Sequence, residues 1–148
     1  MANIIPNSFR GALFEANHNF KASGGNTFLL SLYVGSGSFP YTTSSTVYSS
    51  TDEVSSGGSS NYAVKTLTRL GVVSSTAVAS VDFDNVTWSS ATFSAAYAAI
   101  YNNSTVDGVQ NRLVVVLDFG GSKTATNGDF TITFPDPTTA SNAIISMS

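Results

Sequence analysis

The segment Arg112–Phe119, RLVVVLDF, constrains the fold more than any other stretch of the chain. Leu113–Leu117 is an unbroken apolar run closed by Gly120-Gly121, with no polar residue to mark a solvated side. Such a run reads as a central strand covered on both faces, so the rest of the chain must supply two covering layers. The neighbouring segments offer strands for that purpose. Thr27–Val34 (TFLLSLYV) is rich in strand formers, too short for a stable helix and closed by Gly35 and Gly37. Asn61–Val73 alternates Tyr62, Val64, Thr66 and Thr68 against Ala63, Lys65, Leu67 and Arg69, and reads as a strand with an ambiguous buried face.

The stretch Asp82–Asn103, DFDNVTWSSATFSAAYAAIYNN, is the hardest to assign. In Val78–Trp88, Val81 and Phe83 share one parity and Asp82 and Asp84 the other, the period of a strand with one wet face. Thr92–Tyr101 carries four alanines but no charge for an exposed helical face, and its aromatics suit a strand equally well. The expectation is a hairpin-like pair of strands broken at Ser89-Ser90. Further on, Asn127-Gly128 reads as a turn into Asp129–Phe134, where Phe130, Ile132 and Phe134 alternate with threonines. Pro135 and Pro137 end that strand, and Ala143–Met147 is a last short one.

Two regions differ from this pattern. Asn7–Asn17 places Phe9, Ala12, Leu13 and Ala16 on one helical stripe behind an Asn7-Ser8 cap candidate, predicting a short N-terminal helix. Residues 35–60 are Ser, Thr, Tyr and Gly with little apolar periodicity, and read as a long loop or arm with a short edge strand near Thr46–Ser50. With 148 residues, the chain is expected to be a single mainly β domain, a jelly-roll-like arrangement or β-sandwich with its main strands in 61–148.

Composition narrows function. Charged residues make up 10% of the chain, against about 25% in an average globular protein. Six Lys and Arg spread singly, with a net charge of −3, give no basic stripe for phosphates, so no nucleic-acid partner is expected. There is no cysteine, which excludes disulfides and thiolate metal sites. No stretch approaches the roughly 18 apolar residues of a membrane span, and the N-terminus lacks the pattern of a secretion signal, so synthesis in a cytoplasm is expected.

Candidate chemistry is sparse. His18 is the only histidine, which rules out a multi-histidine metal site, and the end of a helix is an ordinary structural place for it. Asp82, Asp84 and Asp118 are the carboxylates worth weighing for hydrolysis or Ca²⁺, yet no oxygen-rich calcium loop surrounds them, and a solvated strand face explains them. Trp88, with Phe83, Phe93, Tyr97, Tyr101, Phe119, Phe130 and Phe134, forms either a sugar platform or a core, and strand spacing favours the core. The Gly pairs at 24–25, 57–58 and 120–121 read as turns, since none sits in a phosphate-loop context. No catalytic, metal or cofactor residues are assigned.

The order of five motifs resembles a family of small tailed-bacteriophage virion proteins: NSF at Asn7–Phe9, FDNVTW at Phe83–Trp88, YAAIYN at Tyr97–Asn102, LDFG at Leu117–Gly120 and NGDFTITF at Asn127–Phe134. The middle, Tyr41–Tyr62, matches only at Asp52-Glu53-Val54. The resemblance implies a non-enzymatic virion component, a capsid decoration (cement) protein first and a neck, tail or fibre protein second. Its partners would be the major capsid protein or other virion proteins, and decoration proteins of this kind work as homodimers or homotrimers. On this reading the N-terminal segment and the polar arm dock, with Asn7, Phe9, Tyr41, Tyr48 and Tyr62 as contact residues. A carbohydrate- or receptor-binding module is the alternative that fold analogy offers.

Overall fold

The computed structural model describes residues 3–35, 39–74, 78–135 and 143–147. Its elements are α1 (Asn7–Phe14), β1 (Phe28–Tyr33), β2 (Lys65–Leu67), β3 (Arg69–Ser74), β4 (Ala79–Phe83), β5 (Val86–Asn102), β6 (Arg112–Ile132) and β7 (Ile145–Met147). Two antiparallel sheets, ordered β2-β1-β5-β6 and β3-β4-β7, give the mainly β, sandwich-like architecture that the sequence predicts. One core joins them: Phe28, Leu30 and Leu32 of β1 cluster with Val81 and Phe83 of β4, Trp88 of β5 and Ile145 of β7.

The helix begins at Asn7 as expected but stops at Phe14, because Ala16 turns into the left-handed region at φ 58°. Its N-cap is extended Pro6, and no side chain caps it; the Ser8 hydroxyl instead donates to Ser45 O at 2.8 Å. Of the predicted stripe, Phe9 and Ala12 are buried and Leu13 half-buried, while Ala16 falls beyond the helix and is exposed.

Asp82–Asn103 does hold two strands, but they meet at Asp84-Asn85 rather than at Ser89-Ser90, and they are not a hairpin pair. β4 belongs to the small sheet, while β5 runs on through Ser90 as one strand of 17 residues. Ser90 sits in a bulge at φ 52°, across from Asn127 at φ 49°, so Asn127-Gly128 is also a bulge and not a turn. Likewise Gly120-Gly121 does not end a strand. β6 continues for 21 residues, and residues 119–122 are fed out between the pairs Tyr97–Asp118 and Ala95–Lys123. Gly120 at φ 70° and Gly121 at φ 133° adopt backbone geometry that L side chains rarely reach, so the bend in β6 is written by these glycines.

The Asn61–Val73 strand divides. β2 joins the large sheet, β3 the small one, and Thr68 between them accepts the Asp84 N–H at 3.0 Å. Arg69 turns back to donate from Nε to Lys21 O at 2.8 Å and from its Nη1 to Asn26 O, fastening the turn before β1 to β3.

Leu113–Val116 are all buried, as a strand covered on both faces requires. β6 nevertheless lies at the sheet edge, and its outer side is closed by the segments on either side of α1. Ile4 exchanges backbone hydrogen bonds with Val116 at 2.9 and 2.8 Å; Leu113 N–H reaches Thr46 O and Tyr48 N–H reaches Asn111 O, both at 2.9 Å. The edge strand expected at 46–50 is thus a single bridge at Val47. The described part of the 35–60 segment, residues 39–60, is wrapped against the sheet rather than extended as an arm.

Candidate interaction surfaces

Tyrosine positions explain why residues 39–62 stay down. Tyr33 Oη and Tyr41 Oη lie 2.7 Å apart, and each reaches Ser49 O, at 2.8 and 3.2 Å. Ser49 N–H in turn donates to Tyr41 Oη at 2.8 Å. Glu53 accepts hydrogen bonds from Tyr48 and, at 2.6 Å, from Tyr62, whose oxygen also accepts Leu32 N–H at 3.0 Å. Burial raises the pKa of Tyr33, Tyr41, Tyr48 and Tyr62, and pushes Tyr101 up to about 12, so these hydroxyls remain protonated donors at any physiological pH. Tyr41 and Tyr62 are thereby held inside with their hydroxyls hydrogen-bonded, while most Ser, Thr and Gly of the segment stay exposed.

The expected contact residues are redistributed accordingly. Phe9, Tyr41 and Tyr62 are buried within the chain, at 2%, 2% and 5% exposure. Tyr48 is half-buried, stacked on Tyr101 at 4.5 Å between centroids. Asn7 alone of the five is exposed, and its N–H is held by Thr43 O at 2.9 Å. The burial of tyrosines in a Ser- and Gly-rich segment has no local sequence signal, because it depends on Glu53 and Ser49 being brought alongside β1.

His18 is 9% exposed, between Phe9 (4.9 Å) and Phe20 (6.1 Å between centroids). Its Nδ1 accepts from Asn102 Nδ2 at 3.2 Å, and burial, reinforced by Arg112, lowers its pKa to about 4. A neutral, sealed imidazole is a structural part here. Asp82 is also buried, contrary to the expected solvated face shared with Asp84; its Oδ1 accepts Phe83 N–H at 2.8 Å, while Asp84 is exposed beyond the end of β4. Asp118 lies on β6, and β4 and β6 belong to different sheets, so the pairing of strands that would join these carboxylates does not occur. Among the described residues, no group of three His, Asp or Glu is arranged to hold a metal ion.

Of the aromatics, Phe83, Trp88, Phe93, Tyr101, Phe130 and Phe134 are core, while Tyr97 and Phe119 are half-buried. Trp88 donates from Nε1 to Ala63 O at 2.7 Å, with the Lys65 ammonium 5.7 Å from its ring centre.

Among the described residues, the outer half of the β5–β6 ribbon carries a polar ledge and, together with Asn3 and residues 133–135 and 143–144, one wall of a groove. On one face, a hydroxyl-rich ledge carries Thr87 and Ser89 from β5 and Thr124, Thr126 and Thr131 from β6, all exposed, with exposed Asp129 between Thr126 and Thr131 accepting Ser90 N–H at 3.4 Å. Its hydroxyls pair across the strands, Thr87 with Thr131 at 2.9 Å and Ser94 with Thr124 at 2.6 Å. Beside it opens a groove of about 640 Å³, where the Gly120-Gly121 bend brings Phe119 to 6.3 Å from Phe130. Phe134 and Ile144 extend the apolar floor, and Asp118, Lys123 and Asp129 stand along its sides. Such a groove suits an extended segment with apolar side chains and polar flanks.

The chain matches no protein-family model, no curated protein and no solved structure.

Proposed function

We propose that this chain is a non-enzymatic structural component of a tailed-phage virion, a decoration protein that docks on the capsid shell. The observation that carries the reading is the hydroxyl-rich ledge beside an apolar groove. A surface whose hydroxyls pair with one another, and on which Asp129 is the charge to be desolvated, meets another protein with little stripping of water from ions, which is the costly part of burying a charged face. The motif resemblance supplies the setting, and the major capsid protein or another virion protein is the partner. The motif segments themselves lie on α1, at the β4–β5 junction and along β5 and β6, where they build the body that displays the ledge.

Purified protein added to capsids that lack it, followed by sedimentation and imaging, tests the proposal. Saturable, stoichiometric density on the shell is expected, and Ser89→Glu/Thr126→Glu should abolish it while leaving the melting temperature unchanged. Absence of binding to shells, with binding to neck, tail or fibre assemblies, would move the protein to those sites. Binding that survives the double variant would remove the ledge from the interface.

A further inference from the structure

The sandwich is not sealed at the end where α1 faces the small sheet. A hollow of about 170 Å³ opens there, walled by Phe9 and Leu13 of the helix, Val72 and Val81 of the sheet, and Ile145 and Met147 of β7. Val72 and Met147 on its rim are 58% and 60% exposed, while Phe9, Val81 and Ile145, which also wall it, are buried core residues. One residue beyond Leu13, Phe14 is 95% exposed, more than any other large apolar side chain described. A ring so placed gains nothing from its own fold.

We infer that the occupant of this hollow is Phe14 of a second copy of the chain. The dimensions agree: an apolar cavity of roughly 150 Å³ holds one benzene molecule, the size of the phenyl ring. The chemistry agrees as well: the walls are apolar apart from Ser80, whose hydroxyl donates to Val73 O at 3.4 Å, and the ring brings no polar atom with it. Position selects the symmetry. Phe14 directly follows Leu13, a wall of the hollow, at the end of α1, so knob and hollow lie at the same end of the helix, and a two-fold axis there would let each copy fill the other, giving a closed pair rather than an open chain. The two seated rings remove on the order of 300–500 Å² from water. The rest of the roughly 1,000 Å² that a specific pair requires comes from the rim. Val72 and Met147, exposed walls of the hollow, supply apolar rim surface. No like-charge cluster opposes approach, because the whole chain carries only −3. This inference does not depend on capsid docking, which uses the ledge on the β5–β6 ribbon.

Analytical ultracentrifugation of the purified full chain over a concentration series, alone and with two variants, tests it. The wild type is expected to shift from its 15.4 kDa monomer to twice that mass as concentration rises. Phe14→Ser should weaken the pair on the order of 100-fold, as loss of a central aromatic anchor does, with an unchanged melting temperature because the ring has no contacts to lose. Met147→Lys should weaken it comparably from the side of the hollow. A wild type that remains monomeric to millimolar concentration, or a dimer indifferent to Phe14→Ser, would overturn the inference. So would a monomeric wild type whose shell binding is lost in Phe14→Ser, which would assign the hollow to a capsid protein instead.

Discussion

Residues 39–62 are rich in Ser, Thr, Tyr and Gly, yet they bury Tyr41, Val54 and Tyr62; β3 carries Leu70, Val72 and Val73, yet leaves all three exposed. The difference lies in what each region finds opposite it. The loop meets β1 and the start of β6: Tyr33 Oη and Leu32 N–H of β1 bond Tyr41 and Tyr62, the loop's own Ser49 and Glu53 complete the tyrosine network, and backbone bridges fix its path. β3 is the edge of a three-stranded sheet whose other edge, β7, spans only Ile145–Met147, and α1 ends before it can cover that sheet. Polar residues go inside when each finds a partner, and apolar residues stay outside when no further layer exists to cover them.

The comparison can be broken by mutation. If the loop is truly part of the body, its anchor should behave as a core residue. Tyr62 packs against Trp88 and Phe93 at 6.3 and 5.8 Å, and Tyr62→Ala should lower stability by about 3–5 kcal/mol in urea unfolding. A loss below about 1 kcal/mol would return the loop to the status of an appendage.

His18 tests the packing beneath α1. Its folded pKa of about 4 lies below the ordinary 6.5, so the unfolded chain binds the proton that the folded chain refuses. Stability is therefore full above pH 6.5 and falls as pH drops from 6.5 towards 4, by about 3 kcal/mol at most across that window. His18→Gln should remove this component of the slope, which chemical denaturation at several pH values would read out.

The hydroxyl network is a smaller target. Tyr41→Phe keeps the ring and strands Ser49 N–H without its acceptor, which should lower stability by about 1–3 kcal/mol. At the open end of the molecule the opposite is expected. Leu70→Ser should change stability by less than about 0.5 kcal/mol, since the side chain stands exposed on a sheet edge. A large loss there would mean that β3 is covered after all.

Much of the fold is legible because its signals are local. The run Leu113–Leu117, the strand formers of Thr27–Val34 and the stripe on α1 each announce an element within a few residues, and each is found. The candidate docking surface was not legible in the same way. Of the contact residues expected in the N-terminal segment and the polar arm, Phe9, Tyr41 and Tyr62 are inside, whereas the ledge consists mainly of Ser and Thr that look like ordinary strand exteriors. Asp82 shows the same limit: its parity was correct for a strand, but parity does not say whether the second face meets water.

By itself, then, the sequence determined that the chain is a mainly β body with one short N-terminal helix, because period-two patterning and short apolar runs are consequences of backbone geometry that no distant contact can change. Where strands begin and end was decided only in the tertiary structure. Ser90, Gly120-Gly121 and Asn127 are punctuation marks that the chain reads as bulges, since pairing along the β5–β6 ribbon outweighs the local tendency to turn. The same holds for what is buried. Whether a tyrosine or an aspartate lies inside depends on the partner that folding brings to it, and that partner is in general remote in the chain.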